Sequence, residues 1–182
     1  MFRRNFLKSS IIGSLSASTI MSLTNKNNPI VKSVPRIIST WKHGVNANKI
    51  AWKKLNNGEG GLTAVEYGVR DSENNPNERS VGYGGLPDRE GKVTLDACIM
   101  DSNNDCGSVS FLENIKNPIS VARLVMEKTP HIMLSGKGAY DFAIENGFKS
   151  ENLLTEQSKK DWENWLKKSE YKPIINIENH DT

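Results

Sequence analysis

Asn179-His180-Asp181-Thr182, the last four residues of a 182-residue chain, put an imidazole, a carboxylate and a hydroxyl in consecutive positions. Side chains adjacent along a backbone do not converge on one reacting atom, so the string is no Ser-His-Asp-type triad and by itself reads as a polar tail. Ser80-Val81-Gly82-Tyr83-Gly84-Gly85-Leu86-Pro87-Asp88 is more unusual. Its glycines permit conformations and close approaches that a Cβ forbids, which suits a loop lining a ligand site as well as a plain turn. It is not a phosphate cradle, because neither G-x-x-x-x-G-K-[ST] nor a complete strand–G-x-G-x-x-G–helix arrangement is present. Ser80 by itself is a turn serine, and Trp41 is either a core residue or a rigid wall for a pocket entrance. His131, in a short apolar run, reads as a core or edge histidine. Trp162 and Trp165 read as packing residues of one amphipathic helix whose solvated face carries Lys159, Lys160, Asp161, Glu163 and Lys167. Cys98 and Cys106 are the only cysteines, too few for a disulfide framework. A local bridge across the turn between them is conceivable, but the geometry of a disulfide is strict across a hairpin, so two separate buried or half-buried thiols are expected. No His or Cys stands at ligand spacing beside them, so no metal site is expected.

The elements that must position these groups follow from periodicity. Apolar residues at helical spacing predict helices from Asn46 to Asn57, ended by Gly58, and from Leu62 to Glu73, ended by Asn74-Asn75-Pro76-Asn77. Val93–Met100 and Cys106–Leu112 are β-rich and enclose a turn at Asp101–Asp105, which predicts a hairpin. Pro118 opens a helix to Lys128, with Ile119, Ala122, Val125 and Met126 on its apolar face. A short strand at His131–Ser135, helices at Gly138–Asn146 and Glu156–Lys168, and an extended segment at Lys172–Ile177 complete the reading. A hairpin followed by helix, strand and helix predicts a layered α+β domain with helices covering the sheet.

The net charge of +3 is unevenly placed. Four of the 24 basic residues (Arg3, Arg4, Lys8, Lys26) precede Pro29 and no acid does, which leaves 20 basic against 21 acidic residues in the body. No basic stripe is available to neutralise phosphates, so nucleic acid is not an expected partner. Residues 1–28 begin with Arg3-Arg4-Asn5-Phe6-Leu7-Lys8 and continue into an apolar, small-residue run, the outline of an export signal and leader. The string is similar to a twin-arginine signal, which implies an exported bacterial protein, periplasmic or secreted. The run is too short and too rich in serine for a stable membrane span. A mean hydropathy of −0.54 and 36% hydrophobic residues describe a polar chain that still folds when its partner set is complete.

Five strings, in order, resemble the glycosylasparaginase family: Ser39-Thr40-Trp41, Glu78 to Arg89, Val93 to Asp101, Ile115 to Arg123 and Asn179-His180-Asp181-Thr182. The resemblance covers nearly everything after Pro35. It implies an N-terminal nucleophile hydrolase, made as one precursor that cuts itself between Asp181 and Thr182. Residues 29–181 then correspond to an α subunit and Thr182 to the first residue of a β subunit. The implied fold is part of a four-layer αββα sandwich whose second half is absent from this chain. The implied partners are that β subunit and a second αβ unit.

By the same resemblance Thr182 is the catalytic nucleophile and His180, Asp181 and Thr182 take part in self-cleavage. Trp41 and Ser80 match substrate-binding positions, the substrate is a glycosylated asparagine, and no metal or organic cofactor is used. A free Thr182 α-amine has an ordinary pKa of about 7.7–8.0, low enough to accept the hydroxyl proton of its own residue. The chain departs from the family at His43, where an aromatic residue is usual. Two rival readings stand beside this one. An asparaginase or isoaspartyl peptidase of the same superfamily would use the same threonine on substrates without sugar; a truncated, exported binding protein would do no chemistry. Either way, the half-sandwich is expected to leave strand edges and one apolar sheet face uncovered, so that the chain alone aggregates or stays partly unfolded.

Overall fold

A computed structural model describes residues 34–168. Contacts divide the chain at Arg36, and every described element lies in the unit that begins at Ile37. The extended segment expected at Lys172–Ile177 lies outside the described residues.

Helices α1 (Gly44–Asn56) and α2 (Gly61–Asn74) pack side by side, close enough at Gly68 that a Cβ there would lie 2.9 Å from the Ala47 carbonyl oxygen. Strands β1 (Thr94–Met100) and β2 (Cys106–Glu113) form the antiparallel hairpin. Its turn is closed by Asp101, whose Oδ1 accepts the N–H groups of Asn103 (2.8 Å) and Asp105 (3.0 Å). Helix α3 (Pro118–Lys128) crosses back to β3 (Met133–Ser135), which pairs parallel with β2 in a three-stranded sheet of order β1-β2-β3. Helix α4 (Gly136–Glu145) and, after a loop, α5 (Glu156–Lys168) complete the described chain. The third strand is shorter than expected and α4 starts two residues earlier. His131 precedes the strand and is exposed, bonded through its N–H to Thr129 Oγ1 at 3.0 Å.

The core lies where α3 and α4 cover one face of the sheet. Ile99, Val109 and Leu112 meet Val121, Ala122, Val125, Ala139 and Ala143 there, all buried. Gly107 lets α3 settle directly on β2, since a Cβ there would come within 2.2 Å of the Ala122 carbonyl oxygen. A smaller cluster of Val93, Leu95 and Leu153 seats the β1 entrance.

The α+β class and the helix-covered face are as expected. The opposite face is open among the described residues, and it is mixed where an apolar surface was expected. Met100, Phe111 and Met133 are more than half exposed there, beside exposed Asp96 and Cys98. The mixture has a local cause. Register slips between Leu95 and Ala97, and the extra β2 residue, Phe111, sits at φ 52 with its N–H donated to Asp96 Oδ1 at 2.8 Å. The bulge therefore needs a carboxylate on that face. The cysteine expectation is corrected in part. Both thiols are free, but Cys98 is exposed, because it alternates with Ile99 onto the open face; it stands opposite Ser108 while Cys106 stands opposite Met100.

Candidate functional site

Trp41 stands at the entry to α1, in a segment without regular structure, and is 68% exposed. Its carbonyl accepts the Gly44 N–H (2.9 Å), which closes a turn into the helix, and Ser39 Oγ donates to Asn48 Oδ1 at 2.6 Å. The indole lies 6.0 Å, centroid to centroid, from the His43 ring. Together these residues wall a pocket of about 310 Å³ whose other sides come from Ala47 on α1, Val69 and Ser72 on α2, and Val81. Thus the pocket joins the Trp41 segment to the residue directly after Ser80. Ser80 itself is exposed and does not line it.

The glycine-rich loop is held by backbone bonds on every side. Tyr83 N–H donates to the Glu73 carbonyl (2.7 Å), Gly84 N–H to Leu153 (2.9 Å) and Leu86 N–H to Arg79 (2.8 Å), while Ser158 Oγ donates to the Gly84 carbonyl at 2.6 Å. Gly82 has φ +60, and a Cβ on it would sit 2.0 Å from the Glu73 carbonyl oxygen. Only glycine satisfies both the dihedral and the approach. The loop is therefore a fixed platform.

Glu73, at the end of α2, was read from the sequence only as a helix terminus. It is 2% exposed. Its carboxylate accepts the Ile119 N–H at the start of α3 (3.0 Å) and the Asn117 side-chain amide (3.1 Å), while its backbone carries the loop. Burial pushes the carboxyl from 4.5 up to about 7; the two hydrogen bonds and the Arg70 charge pull it down, and neighbouring Glu66 adds to the rise. Beside it Glu66 accepts Ser120 Oγ (2.5 Å) and Arg123 Nη1 (2.8 Å), so α2 and α3 are tied by two carboxylates. A third acidic group, Glu78, places a carboxylate oxygen 2.9 Å from His43 Nδ1. No sequence spacing pairs residues 43 and 78; only the fold does.

A larger cleft of about 750 Å³ lies between α5 and residues 86–90, with Arg79 and Asp161 ion-paired at its wall. Trp162 packs as expected, its ring against Gly91 and its Nε1–H donated to the Arg89 carbonyl at 3.3 Å. Trp165 does not: it is 45% exposed and lines the cleft, since among the described residues α5 is covered on one side only. His180, Asp181 and Thr182 lie outside the described residues. Among the described residues no cluster of three His, Cys, Asp or Glu could hold a metal ion, and no helix is long and apolar enough to cross a membrane.

The asparaginase family profile matches residues 16–181. An N(4)-(β-N-acetylglucosaminyl)-L-asparaginase of Elizabethkingia miricola is 58% identical over 185 residues, covering 99% of this chain and 54% of its own. The rat protein of the same name is 41% identical over 148 residues, 81% of this chain and 41% of its own. A Drosophila grimshawi protein named as a putative member is 41% identical over 170 residues, 91% of this chain and 42% of its own. The chain spans about half the length of the curated relatives it matches.

Proposed function

Because the chain belongs to the asparaginase family and is similar along nearly its whole length to glycosylasparaginases, we propose that it is the α-subunit portion of a self-processing amidohydrolase precursor. With its β half it hydrolyses the amide between N-acetylglucosamine and asparagine. The observation that carries the reading is the 58% identity over 99% of the chain to a protein bearing that activity in its name. The pocket that joins Trp41 to the Ser80 loop supports it.

The chemistry follows from the residues. In the precursor the Thr182 hydroxyl attacks the Asp181 carbonyl carbon, the peptide C–N bond breaks as the ester C–O bond forms, and water then hydrolyses the ester. The products are an Asp181 carboxylate and a free Thr182 α-amine, with His180 and Asp181 positioning the step. In turnover that amine takes the Thr182 hydroxyl proton as the oxygen attacks the substrate's side-chain amide. The glycosylamine leaves with a proton, and water resolves the acyl-enzyme to aspartate. Trp41 shapes the entrance of the substrate pocket and Ser80 helps hold the amino-acid end. The mature protein is an αβ unit that pairs with a second one, and residues 1–28 direct export to the periplasm or beyond.

Intact mass spectrometry of the protein with both halves present tests this, alongside Thr182→Ala. Two fragments joined at Asp181-Thr182 in the parent, an uncut Thr182→Ala chain, and aspartate released from glycosylated asparagine faster than from free asparagine or an isoaspartyl dipeptide are expected. An uncut parent refutes the self-processing reading. Preference for a sugar-free substrate moves the chain to the asparaginase or isoaspartyl peptidase branch.

A further inference from the structure

We propose that the His43–Glu78 pair is a positioning clamp that fixes Trp41 against the Ser80 loop and thereby sets the affinity for the amino-acid end of the substrate; the proposal rests on the functional reading above. Trp41 stands in an irregular segment and Ser80 in an exposed turn, so neither is placed by regular secondary structure. The pair supplies what those segments lack. His43 is the N-cap of α1, its carbonyl accepting the N–H groups of Asn46 (3.1 Å) and Ala47 (3.4 Å), so its backbone is anchored. Glu78 is anchored by its own N–H, donated to the Asn75 carbonyl at 2.9 Å in the turn that follows α2. Between these two fixed points the imidazole Nδ1 lies 2.9 Å from a carboxylate oxygen, with both side chains about three-quarters shielded from solvent. An electrostatic contact so shielded is screened less than one in open water. The contact chain is then continuous: Trp41 ring against His43 ring, His43 to Glu78, and Glu78 two residues from Ser80.

Such a clamp acts on binding and leaves the bond-making atoms of Thr182 untouched, which makes its kinetic signature specific. In the protein carrying both halves, His43→Ala and Glu78→Ala are each expected to raise KM for glycosylated asparagine about five-fold or more with kcat within about two-fold. The double variant should be no worse than either single one, since the second removal finds the contact already gone. Glu78→Gln, which keeps a polar oxygen of the same reach beside Nδ1, should recover part of the loss and guards against a folding defect in the alanine variants. Hydrogen exchange of the peptide spanning 79–86 provides a readout free of activity: exchange several-fold faster in both alanine variants is expected. Unchanged KM, losses that add in the double variant, or unchanged exchange would each overturn the clamp. If the parent protein cuts no glycosylated asparagine at all, the functional reading falls, and the exchange measurement alone then decides whether the clamp exists.

Discussion

Among the described residues Glu73 is the carboxyl whose chemistry folding alters most. Its carboxyl has an ordinary value of 4.5 and is raised to about 7 in the folded chain, so the native state binds a proton that the unfolded state has released across that interval. Stability from this group is therefore greatest below about pH 4.5 and falls as pH rises through 7, by on the order of 3 kcal/mol. Denaturant unfolding from pH 5 to 8 should show that decline in the parent, and Glu73→Gln, neutral throughout, should flatten it. A parallel decline in both proteins would mean that other groups govern the slope. Thr182→Ser keeps the hydroxyl that attacks the Asp181 carbonyl, so it should still self-cleave where Thr182→Ala does not; intact mass over time reads the difference. At this scale resemblance marks positions and not contacts. Trp41, Ser80, Thr182 and Glu78 all belong to the strings that carry it, but no string shows that Glu78 meets a partner 35 residues away, and Glu73, outside the strings, is defined by one 46 residues away.

Elements were more legible, because their signals are local. Pro118 and the apolar spacing behind it mark α3 from end to end, and the Asp101–Asp105 turn marks the hairpin. What periodicity cannot carry is a bulge: Phe111 interrupts the β2 alternation for the sake of Asp96, and a pattern of alternating side chains gives no warning of it. Glycine content flagged the loop at 80–88 without saying which glycine matters. The structure singles out Gly82, where a Cβ would collide with the Glu73 backbone at a left-handed φ. Gly82→Ala should cost about 2–4 kcal/mol, since neither strain nor overlap can be relieved by a side-chain rotation. Gly138, with nothing within 4 Å of its would-be Cβ, is the matched control. Gly138→Ala in α4 should leave the thermal midpoint unchanged or raise it, because alanine is the better helix former. Equal losses at the two positions would show that the loop yields more readily than its three backbone bonds and the Ser158 hydroxyl imply.

Among the described residues the sheet is covered on one side, and the chain spans about half the length of its relatives. A sheet with one open face has a definite failure mode. Residues 94–113 are seated on α3 and α4, yet Met100, Phe111 and Met133 are more than half exposed on the other face, and β1 and β3 are the terminal strands among the described residues. Exposed apolar side chains between unpaired strand edges favour association. The open face also carries a reporter, Cys98, as an exposed thiol that alternates with buried Ile99. If the proposed β half packs on this face, a thiol-directed reagent should modify Cys98 readily in the isolated chain. In the two-half protein it should be protected at least ten-fold, because burial removes both access and thiolate character. Cys106, half-buried at the hairpin's far end, should change less. The same comparison by size exclusion should find the isolated chain associating and melting without a sharp transition, and the two-half protein eluting as one species. Cys98 reacting equally in both forms would place the second half elsewhere. A sharply melting monomer made from this chain alone would mean that a mixed face, with Asp96 and Ser110 set among its apolar residues, is polar enough to stand in water, and that the three-stranded unit folds without its partner.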